Sequence, residues 1–189
     1  MDQAAFPSHP PVTVDDIFTE RLQIWSDIQG HLQFMHDVVV EADAKTVVEL
    51  GVRSGNSTAA LLAGVQKTGG HLWSVDTEPI DLPAPISQSK LWTPVVGDDL
   101  AVTDWLPKEI DVLFIDTNHW YHHTLAELRL YGPSSKIILM HDTELEWPWQ
   151  APPGDPSFPV RKAIEHYLQL IPERNVEWRE GSYGLAVIQ

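Results

Sequence analysis

The stretch "VLFIDTNHWYHHTL", residues 112–125, ends an apolar run in Asp116 and then brings His119, His122 and His123 within a few positions. A second apolar run, "KIILMHD" at 136–142, ends in His141 and Asp142. Runs that stop abruptly at ionisable groups read as strands meeting the carboxyl edge of an open α/β sheet, where ligands sit. If the two strands are neighbours, Asp116 and Asp142 emerge together. Two adjacent carboxylates repel unless one is protonated or a cation lies between them. With His141 as a further donor, the pair suits a hard or borderline divalent ion such as Mg²⁺ or Mn²⁺. The alternative is that each acid caps the helix that follows. His119, three residues past Asp116 at the expected start of a helix, could take a proton from a hydroxyl. Imidazole titrates near neutral pH, and a metal lowers the pKa of a hydroxyl bound to it. His122 and His123 would share a helix face with His119. The plainer expectation for them is solvent, or packing against a Pro-rich loop.

Upstream, "VVELGVRSGNST" sits where a strand turns into a helix. Gly51 and Gly55 allow close backbone approach to a ligand, and the helix N-terminus offers free N–H groups. The spacing G-x-x-x-G, with Arg53 inside it, is not the dinucleotide pattern G-x-G-x-x-G. Glu49, just before the loop, suits an amino group or a positive charge; a salt bridge to Arg53 is the alternative. Asp76 ends the next strand, where an acid in nucleotide-binding sheets accepts hydrogen bonds from ribose hydroxyls. Glu49 and Asp76 are therefore expected to line a common cavity. Asp98, in "VVGDDL", could bond an adenine amine or cap the next helix.

The elements that must position these residues alternate. Apolar residues from Ile17 to Val39 recur at three- and four-residue spacing, which predicts one or two helices over 14–42. Strands follow at 45–50, 71–76, 91–97, 111–116 and 136–142, with helices over 58–67, 120–131 and 160–170. Pro94 puts the third strand at a sheet edge. The last two strands, "NVEWRE" and "YGLAVIQ", are joined through "GS", a hairpin signal. This predicts a Rossmann-like α/β fold: a seven-stranded, mostly parallel sheet with a C-terminal antiparallel hairpin and helices on both faces. All 189 residues would form one domain. Residues 1–13 are expected to be flexible, and 143–159, with Trp147, Trp149 and Phe158 among prolines, to form a lid-like loop.

A formal charge of −15 repels phosphate backbones and disfavours nucleic acid, but not a cationic ligand. The absence of cysteine removes disulfides and thiolate metal sites and fits a reducing, cytoplasmic setting. No run approaches the length of a membrane helix, and no signal peptide is evident.

In order and spacing, "VVELGVRSGNST", "SVDTEP", "VLFIDTNHWYHHTLAEL" and "ILMHDT" resemble class I S-adenosylmethionine-dependent methyltransferases over about residues 30–145. The narrower likeness is to the cephalosporin-biosynthesis, macrolide-sugar and rhamnosyl O-methyltransferases. The resemblance implies that Glu49 and the loop Gly51–Arg53–Gly55–Ser57 hold the methionine moiety, and that Asp76 holds the ribose, with Asp98 and Asp116 also against the cofactor. It implies Mg²⁺ or another divalent metal on Asp116, His141 and Asp142, with His119 as general base. The family pair is usually acid–acid or acid–amide, so His141 is a departure. It points to a transition ion, or to no ligation by His141. The implied reaction is methyl transfer to a hydroxyl of a sugar, glycoside or polyketide-like molecule, by a soluble enzyme able to form a homo-oligomer. A metal-free methyltransferase and a non-catalytic cofactor-binding subunit are the rival readings.

Overall fold

The computed structural model describes residues 12–146 and 158–189. Seven strands form one sheet: β1 (Thr46–Leu50), β2 (His71–Asp76), β3 (Trp92–Val96), β4 (Ile110–Ile115), β5 (Ser135–His141), β6 (Val176–Arg179) and β7 (Leu185–Ile188). Their order is β3-β2-β1-β4-β5-β7-β6. The first five are parallel; β7 runs antiparallel to both β5 and β6. This is the predicted Rossmann-like sheet with its reversed terminal pair. Pro94 lies on β3 at the edge, where a missing N–H costs least.

Among the described residues six α-helices surround it: α1 (Val14–Arg21), α2 (Leu32–Glu41), α3 (Asn56–Thr68), a one-turn α4 (Ala84–Ser87), α5 (Tyr121–Tyr131) and α6 (Pro159–Leu170). Strand alternation sorts the core onto two faces. Val47, Val112, Phe114 and Leu139 pack with α1, α2 and α3, while Val48, Leu50, Leu113, Ile115 and Ile138 pack with α5 and α6. Both faces of the central strands are therefore dry, and polar groups reach solvent only at strand ends. Local signals set the helix limits. Thr13 and Asp16 close a capping box at α1, and Gly55 and Gly69, both left-handed, bracket α3.

The register aligns the carboxyl ends. Leu50 pairs with Ile115, and Ile115 with Met140. Just beyond, the Gly51 N–H donates to the Val75 carbonyl at 2.9 Å and the Asp116 N–H to the Leu50 carbonyl at 2.8 Å. The glycine loop, Asp76, Asp116 and the His141–Asp142 pair therefore share one edge. His119 falls in the β4–α5 loop, before the helix rather than at its start. Trp147 and Trp149, with most of the lid-like loop, lie outside the described residues. Among the described residues no helix is long and apolar enough to cross a membrane.

Candidate active site

Two adjoining cavities open along this edge, of about 570 and 460 Å³. Gly51, Val52, Arg53, Asp116 and Thr117 line both. The first runs past Asp76, Thr77 and Glu78 to Asp98, Asp99 and His123. The second is walled by Trp25, Asp27, His119, Asp142, Leu145 and Tyr183.

Gly51 is required by the approach of β1 to β4. Its φ is +89°, and a Cβ there would lie 2.0 Å from the Asp116 carbonyl oxygen. Asp76 holds the loop in place: its Oδ2 accepts from the Val52 N–H (2.9 Å) and the Arg53 N–H (3.0 Å), and its Oδ1 from the Glu78 N–H (3.0 Å). Burial would push this carboxyl up, but the N–H groups of Glu78, Arg53, Val52 and Thr77 outweigh it and hold Asp76 below its ordinary value.

Glu49 departs from expectation. It is fully buried and, among the described residues, lines neither cavity, so it and Asp76 do not share a wall. Alternation along β1 turns its side chain towards α3, on the Val47 face. Thr58 Oγ1 donates to it at 2.9 Å, and Ser74 Oγ at 2.5 Å. Burial pushes its carboxyl up to about 7, against donation from Ser57, Ser74 and Thr58. Ser57 and Gly55 likewise lie off both cavity walls: Ser57 is buried, and Gly55 caps α3 where a Cβ would lie 2.5 Å from Leu82 Cδ2. Arg53 pairs with Asp27 at 2.6 Å, not with Glu49. Asp98 is exposed on the first cavity, where its Oδ1 accepts from the Leu100 N–H at 2.9 Å, as a cap would.

At the second cavity, His119 Nε2 is 2.6 Å from Asp142 Oδ2. Asp142 has φ +60°, in the left-handed region that Asp tolerates better than most residues. Burial would raise Asp142, but His119 and His141 outweigh it and push this carboxyl well down, so it is ionised. His141 is buried behind both acids. Its Nε2 bonds the Ser182 carbonyl at 2.7 Å and must therefore be the donor. That leaves Nδ1 aimed between Asp116 Oδ1 (3.5 Å) and Asp142 Oδ2 (3.4 Å), buried and without a good hydrogen bond among the described residues. Burial would lower His141, but Asp116 and Asp142 push it up to about 10. Burial raises Asp116.

Ligand-capable atoms of Asp116, His119 and Asp142 also lie within 4.8 Å of one another. The strand ends thus unite all three expected metal ligands with the expected base. His122 is exposed, as the plainer reading has it. His123 is not: its Nε2 faces Asp99 and Glu127. The His123/Glu127 spacing of one helical turn was the available signal for that cluster; nothing local in the sequence marked Asp99, Trp25 or Tyr183.

The family model described as a methyltransferase domain matches residues 48–143. No curated protein matches the sequence. Solved structures that resemble the chain include an SAH-bound methyltransferase from Podospora anserina, 17% identical, covering 97% of this chain and 90% of that one at a TM-score of 0.65. An O-methyltransferase from Bacillus cereus in complex with SAH is 15% identical, with 96% and 92% covered and a TM-score of 0.63. The O-methyltransferase TomG from Streptomyces achromogenes, involved in tomaymycin synthesis and in complex with SAM, is 14% identical, with 96% and 91% covered and a TM-score of 0.62. At such identities the likeness carries the fold, whereas the family match reaches from β1 across the glycine loop to the far side of Asp142. The chain belongs to the methyltransferase-domain family and bears it on the class I methyltransferase fold.

Proposed function

We propose that the chain is an S-adenosylmethionine-dependent O-methyltransferase acting on a hydroxyl of a small molecule, with His119 as general base. The supporting observation is the wall that the two cavities share. The first cavity, with Asp76 and the glycine loop, has the size and polar lining for the nucleoside part of the cofactor. The second, with His119 and Asp142, has room for an acceptor.

When bound, the cofactor supplies an electrophilic sulfonium methyl, which an acceptor oxygen takes as it gives up its proton. The protein's part is alignment and proton removal. Ionised Asp142 can only accept, so His119 Nε2 donates to it, and the imidazole takes up the acceptor's proton. Asp142 then steadies the imidazolium that forms. Gly51 lets the shared wall approach closely, and the acidic edge favours a cationic cofactor over its neutral product. Trp25, 82% exposed, and Tyr183, 45% exposed, flank the second cavity. They offer faces on which a sugar ring or a planar polyketide can lie.

The residues at the strand ends fit a divalent ion. Asp116, Asp142 and Nδ1 of His141 would hold it, and the Ser182 carbonyl fixes the tautomer that leaves Nδ1 an acceptor. An imidazole donor suits a transition ion better than Mg²⁺. Such an ion would lower the pKa of a bound hydroxyl. One observation favours a metal-free second reading: His141 Nδ1 sits between the two acids, where a proton on it would supply the positive charge they need.

Calorimetry with S-adenosylmethionine, followed by methyl transfer to a panel of hydroxylated sugars and aromatics with and without chelator, tests both readings. Failure to bind S-adenosylmethionine sinks the proposal. Turnover that survives chelation selects the metal-free form.

A further inference from the structure

A second polar cluster closes the far end of the first cavity, away from His119. Asp99 follows β3, and His123 and Glu127 lie one turn apart on α5. Their i, i+4 spacing puts both on one helix face. The Tyr131 hydroxyl, one turn further on, donates to the Asp99 carbonyl and ties the β3 loop to that face. His123 Nε2 lies 3.3 Å from Asp99 Oδ1 and 3.6 Å from Glu127 Oε1. These separations are long for charge-assisted hydrogen bonds, which close to about 2.7–2.9 Å. They suit ligands on one ion: with bonds of about 2.1 Å, two corners of a tetrahedron stand about 3.4 Å apart.

Glu127 is fully buried and Asp99 is 6% exposed. Among the described residues, His123 Nε2, Asp99 Oδ2 and Glu127 Oε2 are all buried without a hydrogen-bond partner. Buried carboxylate oxygens left unpaired are costly, so the cluster asks for a positive ligand. Thr117 Oγ1 donates to Glu127 Oε1 at 2.6 Å and fixes that carboxylate, as an outer partner of a metal ligand does. Asp99 and His123 line the cavity, which leaves the remaining side of the cluster open to it.

We propose that Asp99, His123 and Glu127 form a site for a borderline divalent transition ion of the Zn²⁺ type, with three protein ligands and a fourth position facing the cavity. The site does not depend on the methyltransferase reading. The competing account is a protonated His123, pushed up to about 10 by Asp99 and Glu127 against burial, acting as internal counter-ion. A proton on Nε2 would meet the two acids only at 3.3 and 3.6 Å, longer than such charged bonds close.

The test uses the full chain, stripped with chelator and carrying Asp142→Asn to silence the cluster at the β4 and β5 ends. Zn²⁺ is titrated by calorimetry and Co²⁺ by its visible spectrum, which is intense for four-coordinate ions. One equivalent should bind with a four-coordinate Co²⁺ spectrum. Adding His123→Ala or Glu127→Gln should abolish it. Glu127→Gln keeps the side-chain volume and an acceptor for Thr117, so an unchanged circular dichroism spectrum separates lost ligation from lost folding. The result must repeat in an Asp116→Asn background. No bound equivalent, one lost on Asp142→Asn alone, or one surviving both cluster substitutions overturns the proposal.

Discussion

His119 and Asp142 meet at 2.6 Å although one comes from the loop after β4 and the other from the end of β5. The contact exists because parallel pairing brings Ile115 beside Met140, so the next residues of both strands leave the sheet together. An ionised acid against Nε2 orients the ring. Replacing His119 with Ala should lower kcat by about 100- to 10,000-fold, the range for loss of a positioned base. The affinity for S-adenosylmethionine, measured by calorimetry, should change little. Equal losses in both would assign His119 to binding instead.

Asp76 is expected to act on the cofactor largely through the glycine loop, since Val52 and Arg53 N–H groups already engage its Oδ2. Asp76→Ala should weaken SAH binding by at least about tenfold, the equivalent of one charge-assisted hydrogen bond. An unchanged dissociation constant would remove the first cavity as the nucleoside site.

Gly51 and Gly69 both have positive φ, but their surroundings differ. A Cβ at Gly51 meets the Asp116 carbonyl, and one at Gly69 meets nothing within 4 Å. Gly69→Ala should cost about 1 kcal/mol, from backbone conformation alone. Gly51→Ala should cost more than about 3 kcal/mol, since backbone must move. Urea unfolding of the two variants measures the contrast, and equal costs would contradict the close β1–β4 approach.

Glu49 makes stability depend on pH. Its carboxyl is raised from 4.5 to about 7 in the folded protein, so the folded state binds the proton more tightly. Its contribution is fully present below pH 4.5 and is lost as pH rises through about 7. The wild type should therefore lose roughly 3 kcal/mol relative to Glu49→Gln across that window. Asp76, lowered in the fold, acts in the opposite sense: its contribution is present above its ordinary pKa and disappears as pH falls. Denaturant unfolding of wild type and Glu49→Gln at several pH values tests this, and parallel curves would refute a buried, raised Glu49.

Trp25 stands exposed at the second cavity. Trp25→Ala should raise KM for the acceptor by about tenfold, as loss of a stacking face worth about 1 kcal/mol or more implies, while SAH binding is unaffected. An unaltered KM would move acceptor recognition to other residues.

Strand number, the edge position of the Pro94 strand and the reversed final pair were legible in the sequence. Each follows from local rules: two-residue alternation, a missing N–H, and a glycine-containing turn. That Asp116, His119, His141 and Asp142 would gather was legible as well, because parallel neighbours place their last residues at one edge. The direction in which each side chain points was not. Glu49 ends up beneath the loop because the β1 pleat turns it towards Thr58 and Ser74, and a strand carries no local sign of which face its helix will cover. His123 meets Asp99 only because the loop after β3 reaches α5, where the Tyr131 hydroxyl holds it, a contact between distant segments. Trp25 and Tyr183 reach the same cavity from opposite ends of the chain for the same reason. Periodicity determined which elements form and where they stop; the packing of helices on the two sheet faces decided which of their polar groups meet, since that depends on long-range burial.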